Sequence, residues 1–358
     1  MKKFLAAVAA SAALFVLQTP AAWAEFRMIV PQAPGNGTAV WASIIARHLE
    51  KQLGEPIVIQ HIPGAKDIPG FNEFHNRLRF DDKTIMVSHG GNGIGYLVDA
   101  VDYDYKYYDS IGMMNLNIVV GRKRGEDPID GRRVKIAGSS GMETDGMAIA
   151  LLTCGNLSTM QAYLDCWQKN VTWVNGVKGS ERRLGFMRGE FNVARESVVN
   201  WFKHYQRPEA AAELWFHHGI YDFATRGQQD DPNFPVGFQL ETVFERIHGV
   251  KPQGPLYEAY LLSRNFRDVL QKALWVNRGN PNVQRLRSAL KTMITDPEAA
   301  AALEKDTGRY QWIVGDDGNQ VISRIRGNIT EAKLKNMVWW HENAYRFPSV
   351  FKQHLLVR

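Results

Sequence analysis

Cysteine is scarce in this sequence: Cys154 and Cys166 are all there is. Two thiols without a histidine or further cysteine at ligand spacing argue against a zinc site. In an oxidising compartment they read as one disulfide, with two buried free thiols as the alternative. Long basic runs are missing too. Arg122-Lys123-Arg124 and Arg132-Arg133 are the densest, and the formal charge is only +6. Nucleic acid would want a longer stripe, whereas a mildly basic surface still steers small anions. Several signatures are absent: a G-x-G-x-x-G after a strand, a Walker lysine pattern, a G-x-S-x-G elbow, an H-E-x-x-H helix, any solenoid repeat and any low-complexity segment. No nucleophile–base pair stands out, so the reading is of a non-enzyme without metal or cofactor.

One apolar run is present at the start. Lys2 and Lys3, the apolar Phe4–Leu17 and the small residues of Ala22-Trp23-Ala24 form the pattern of a cleavable export signal over 1–24. Its style points to a bacterial periplasm, and the mature chain is expected to be soluble. A 45% hydrophobic and 22% charged composition is that of a globular chain, long enough for two domains.

The organising stretch is Met28–Leu53. Met28-Ile29-Val30 reads as a buried strand, 32–38 as a tight loop, and Trp41, Ile44, Ile45, Leu49 and Leu53 fall at helical spacing. Strand, glycine loop and helix start aim free N–H groups and the positive end of a helix dipole at one point, which suits a carboxylate or phosphate. The pattern repeats. A strand at 56–60 leads to the loop 62–70 and a helix beginning at Phe71; a strand at 84–88 leads to the glycine loop 89–95, whose candidate contact is Asn92. Three such units predict a parallel sheet with helical crossovers and a ligand at the strands' carboxyl ends. Tight turns alone would also use these glycines.

Tyr103–Tyr108 reads as a surface loop laying its rings on the sheet, and Ile111–Val120 as one long strand crossing into a second domain. There Val134–Ala137, the loop 138–144 and a helix to Thr153 restart the pattern. Ser139, Ser140 and Thr144 offer hydroxyls there, each equally an N-cap. Ser180 reads as an N-cap, and 226–254 as the least regular part. Adjacent His217 and His218 would point apart on a helix, which disfavours joint ligation. A strand at 269–276 returns to the first domain. The expected division is 25–117 with 275–358, and 118–274 with an irregular insertion at about 201–254. The fold class is α/β: two Rossmann-like domains joined by a hinge, with closure over a ligand.

In order along the chain, several motifs resemble the extracytoplasmic solute receptors of tripartite tricarboxylate transporters. Pro31-Gln32-Ala33-Pro34-Gly35-Asn36-Gly37 is similar to that family's first loop, Pro63-Gly64-Ala65 to its second, and Asp82-Lys83-Thr84 to the approach to its third strand. Gly141-Met142-Glu143-Thr144, Lys178-Gly179, Arg188-Gly189-Glu190 and Asp296-Pro297-Glu298 continue the match. The resemblance implies the two-lobed, type II-like periplasmic binding protein form of this fold, and a small organic acid held by main-chain N–H groups of Ala33, Gly35, Asn36, Gly37, Gly64 and Ala65. The second lobe would close on it with Ser139, Ser140, Glu143, Thr144 and Arg195. It also implies membrane transporter subunits as partners and a monomeric receptor. Asn36 replaces the family's second glycine, and Met142 and Glu143 would disfavour a strongly anionic far end. A receptor scaffold reused for partner binding or sensing, without transport, is the alternative.

Overall fold

The computed structural model describes residues 25–358 apart from 65–66, 95–96, 128–129, 139–141, 178, 223–226, 269 and 357–358. The expected leader and the candidate contacts Ala65, Ser139 and Ser140 lie outside the described residues.

The first lobe follows the alternation in the sequence. β1 (Phe26–Val30) leads into α1 (Gly37–Leu53), β2 (Ile57–His61) into α2 (Ile68–Asn76), and β3 (Thr84–His89) into the short α3 (Gly90–Ile94). β1 pairs in parallel with β2 on one side and β3 on the other. α1 buries Trp41, Ile45, Leu49 and Leu53, four of the five positions its spacing marked, leaves Ile44 half-buried, and ends at Gly54 in the left-handed region at φ 66°. α2 starts before Phe71 because Pro69 fits its first turn.

The expected long crossing strand is two strands. β4 (Tyr108–Met114) belongs to the first sheet and β5 (Ile118–Lys123) to the second lobe. Asn115 and Asn117 divide them by drawing backbone bonds away from strand pairing. Asn115 Nδ2 donates to Tyr221 O at 2.7 Å, and Asn117 Oδ1 accepts from Ile118 N at 2.7 Å. Tyr103–Tyr108 lays its rings on the sheet as expected, but it is not a surface loop. The rings of Tyr103, Tyr105 and Tyr108 are buried, with Tyr105 packed 4.9 Å from the Trp275 ring.

The second lobe runs β6 (Val134–Ala137), α4 (Thr144–Cys154), α5 (Met160–Asn170), β7 (Val171–Val174), α6 (Gly179–Met187), β8 (Val193–Ser197), α7 (Val198–His204) and β9 (Ala212–His217). The hairpin β10 (Ile220–Asp222) and β11 (Gly227–Gln229) follows, then α8 (Leu240–His248) and α9 (Pro255–Asp268). β6 and β7 pair in parallel, and β5 lies antiparallel between β8 and β9. The segment expected to be irregular thus supplies a strand of this sheet and the amphipathic α8. Ser180 sits inside the first turn of α6 rather than capping it. His217 and His218 lie at the end of β9, not on a helix, and both are fully buried. The cysteines form the disulfide Cys154–Cys166, tying α4 to α5.

β12 (Lys272–Asn277) returns antiparallel between β3 and β4. α10 (Val283–Thr295), α11 (Pro297–Thr307), β13 (Trp312–Val314), α12 (Asp316–Gly327) and α13 (Glu331–Asn343) complete the chain. The first sheet reads β13-β4-β12-β3-β1-β2. Asp296 caps α11 through Ala299 N at 2.9 Å. α13 packs on α9 and α5, with Trp340 edge-on to Trp167 at 5.3 Å. One hydrophobic cluster therefore runs from Phe71 and Met86 in the first lobe through Leu256, Tyr260 and Phe266 of α9 to Ala148 and Leu151 of α4.

Candidate functional site

Between the lobes lies a cleft of about 700 Å³. Its first wall is built where the strands of the first sheet end. The α1 ladder begins with Val40 N donating to Asn36 O at 2.9 Å, so the N–H groups of Gly37, Thr38 and Ala39 stand outside it. Gly37 and Thr38 line the cleft, with Gln32 and His89 beside them. The three loops meet at one carboxylate. Asp67 takes Gln32 Nε2 from the first loop at 3.3 Å and His89 Nε2 from the third. His89 Nδ1 accepts from Gly91 N at 2.9 Å, which leaves Nε2 as the proton-bearing nitrogen.

Lys272, the first residue of β12, completes this wall. It is 8% exposed and donates to Thr38 Oγ1 at 2.8 Å. Burial lowers its pKa to about 8, against the nearby carboxylates of Asp306 and Asp67, which favour the charge. Asp306 also lines the cleft, and burial raises its pKa.

The second wall is made of charges. Arg182, Arg195, Glu196 and Lys203 face the cleft from α6, β8 and α7. Behind Arg195 sits Asp145 in the first turn of α4, with no exposure at all. Asp145 is hydrogen-bonded by Arg195, takes His218 Nε2 at 2.9 Å and has Arg267 Nη1 at 3.7 Å. Burial alone would raise its pKa; Arg195, Arg267 and His218 outweigh that and hold it well below the usual carboxylate range. Tyr260 OH accepts from Arg264 at 3.1 Å and gives its proton to His218 Nδ1 at 2.9 Å, which turns His218 Nε2–H towards Asp145. Glu196 accepts from Arg183 at 3.0 Å.

Among the lining residues, Arg182, Arg195, Lys203, Lys272 and Lys305 carry positive charge and only Glu196 and Asp306 negative. The lining is net positive, and the start of α1 adds the positive end of a helix dipole to it. Asn117, also on its lining, is tied by Nδ2 to buried Asp231 at 2.9 Å, and Asp231 takes Tyr310 OH of the first lobe at 3.0 Å.

Of the residues singled out in the sequence, Gly37 and Arg195 line the cleft. Ala33, Pro34, Gly35 and Asn36 form the exposed turn before α1, where Gly35 has φ +84°. Gly64 packs against Pro69 in the second loop. Asn92 Oδ1 takes His89 N at 2.8 Å, so it shapes the third loop from behind. Thr144 Oγ1 meets Ser263 Oγ at 2.8 Å, and the Glu143 carbonyl accepts Tyr345 OH at 2.6 Å. Sequence reasoning passed over Gln32, His89, Arg182 and Lys272. Only Lys272 carried a local signal, as a charge opening an otherwise apolar returning strand. Among the described residues, one group of metal-ligand types comes together, His48, Asp296 and Glu298. Its carboxylates serve the α11 cap and Lys51.

No protein-family model matches the chain. Protein BugT of Bordetella pertussis (strain Tohama I) is 37% identical over 111 residues, 29% of this chain and 34% of BugT. The matched stretch thus spans about a third of that relative's length. Over 90% of this chain and 98% of the other, the fold is similar to a TctC solute binding protein from Polaromonas (TM-score 0.58, 14% identity). It is also similar to an R. palustris protein solved with adipate, over 87% and 97% of the chains (TM-score 0.52, 10% identity). The fold is that of the two-lobed periplasmic binding proteins. Among the described residues no helix is long and apolar enough to cross a membrane.

Proposed function

We propose that this chain, similar to the extracytoplasmic solute receptors of tripartite tricarboxylate transporters, is a periplasmic receptor. It captures a small carboxylate in the cleft between its lobes and delivers it to a membrane transporter of that type. The observation that carries the reading is one cavity with cationic groups and a helix N-terminus on its first wall and further cationic groups on its second.

The first wall would take a carboxylate on the N–H groups of Gly37 and Thr38, with Lys272 as counter-charge. Main-chain donors at a helix start are already oriented, so little ordering is lost on binding. Lys272 is desolvated while the cleft is empty, and an anion beside it favours the charged form and raises its pKa back towards the ordinary lysine range. The adipate carried by a protein of similar fold supports a short organic acid as ligand.

Thermal melting against a broad panel of mono-, di- and tricarboxylates tests this. A matching acid at a hundred times its dissociation constant should stabilise the protein by about 2.7 kcal/mol. Mass spectrometry of the solute that copurifies should return an organic acid. A flat melting temperature across the whole panel overturns the reading.

A further inference from the structure

We propose that a second cavity, at the end of the first lobe away from the cleft, binds a small acid with one negative charge and an apolar ring or chain. The inference stands apart from the receptor reading and survives its failure.

β4 and β12 lie antiparallel side by side and run from one cavity to the other. Lys272 opens β12 at the cleft, and Arg278 follows its last residue, Asn277. Six residues of extended chain put about 20 Å between the two. At that far end Arg278 N donates to Tyr107 O at 2.8 Å, just before β4 begins at Tyr108. A cavity of about 450 Å³ opens there between the tyrosine segment, the turn after β12 and α12.

Its floor is apolar, made by the rings of Tyr105 and Tyr108 and the side chain of Ile322, which are 2%, 1% and 8% exposed. Its rim is cationic. Lys106, Arg278 and Arg326 stand on the lining, and among the described residues no carboxylate does. Two carboxylates lie behind them. Asp104 accepts from Arg326 Nη1 and has Lys106 Nζ at 3.4 Å. Asp109 has Arg278 Nε at 3.9 Å, and is already engaged by Asn319 Nδ2 at 3.0 Å and Gly279 N at 2.8 Å. Three cations against two carboxylates leave one positive charge over. The remaining donors of Arg326, Nε and Nη2, make no hydrogen bond among the described residues and keep contact with solvent.

An inorganic anion would use the rim and leave the floor wet. A neutral ring would cover the floor and leave the rim unmatched. One carboxylate on a ring or short chain meets both, through charge-assisted hydrogen bonds above and apolar area removed from water below. Asp104 already holds Arg326 in place, so little side-chain freedom is lost on binding. The volume is that of a small-molecule site.

The test is calorimetric titration at constant ionic strength with benzoate and phenylacetate, beside benzamide, which lacks the charge, and acetate, which lacks the ring. The better aromatic acid should bind at least about tenfold tighter than either control. Ser323→Tyr sets a ring into the cavity from an exposed position on α12 and should weaken that acid by about tenfold or more. Arg278→Gln, also at an exposed position, should weaken it about three- to fivefold. If Ser323→Tyr melts well below the native chain, Arg278→Gln decides alone. No saturable binding of either aromatic acid at millimolar concentration overturns the inference, as does equal binding of benzamide or acetate. Unchanged affinity in Ser323→Tyr overturns it too. So does a tenfold loss in Lys272→Met with none in Ser323→Tyr, which would put the probe in the cleft. None of these outcomes touches the receptor reading, which melting against the panel of acids tests by itself.

Discussion

The two walls of the cleft are both positive, and they come by that charge through different means. On the first, the positive field comes largely from backbone at the start of α1, and the loops are joined by the Asp67 carboxylate between Gln32 and His89. On the second, the field comes from side chains. Arg195, His218 and Arg267 converge on Asp145 from β8, the end of β9 and α9. A backbone field survives most substitutions, because every residue but proline has an N–H. A buried charge network fails when one member is removed.

The sharpest way to break that comparison is a matched pair of isosteric changes. Asp145→Asn strips the counter-charge from two buried arginines and should cost about 3–5 kcal/mol in urea unfolding. Asp67→Asn, on the first wall, loses a more accessible contact and should cost about 1 kcal/mol, since asparagine tolerates the left-handed φ of 63° at this position. Similar costs would erase the distinction. Next in size is the disulfide, which belongs to the second lobe. With a separation of 12 residues, its reduction should cost about 3 kcal/mol. Urea unfolding with and without reductant checks this.

Lys272 sharpens the comparison through pH. Its folded pKa of about 8 lies below the value of about 10.4 for an unfolded lysine. Between those values the unfolded chain holds the proton and the folded one does not, so the ligand-free protein should gain stability as pH rises. Ligand affinity should move the other way and weaken as pH rises through about 8, because the anion loses its cation. Lys272→Met should flatten both slopes and weaken binding of a matching acid about tenfold at neutral pH. Melting and calorimetry from pH 6 to 10 measure the two together. The smallest effect is expected at Gly35→Ala, in the turn before α1. There φ is +84° with open space around a new Cβ, so the cost is backbone strain alone, about 1 kcal/mol.

The same contrast explains what was legible beforehand. The first wall is local: β1, its loop and α1 are consecutive, and helical spacing at Trp41, Ile45 and Leu49 fixes which face is buried. The two cysteines, read as one disulfide with free thiols as the alternative, are paired. The split at Asn115–Asn117 was hidden because Ile111–Val120 is apolar enough for one strand, and only Tyr221 and Asp231, more than 100 residues on, give the asparagines their partners. β9 was missed because it enters its sheet by pairing with β5, some 90 residues earlier. Arg182 stands in Glu181-Arg182-Arg183, which reads as a solvated helix face. Its burial comes from neighbours that no window of sequence contains.

Helix α9 touches α3 of the first lobe, α4 and α5 of the second, and α13 near the carboxyl end. Chimeras that swap one lobe of this protein for that of another receptor, cut at the two crossing strands, would sever this shared spine. Leu256, Ala259 and Tyr260 would then be bared to water in whichever half kept them. Grafting a new specificity onto this scaffold therefore means exchanging side chains on the walls of the cavity and leaving the helix beneath them in place.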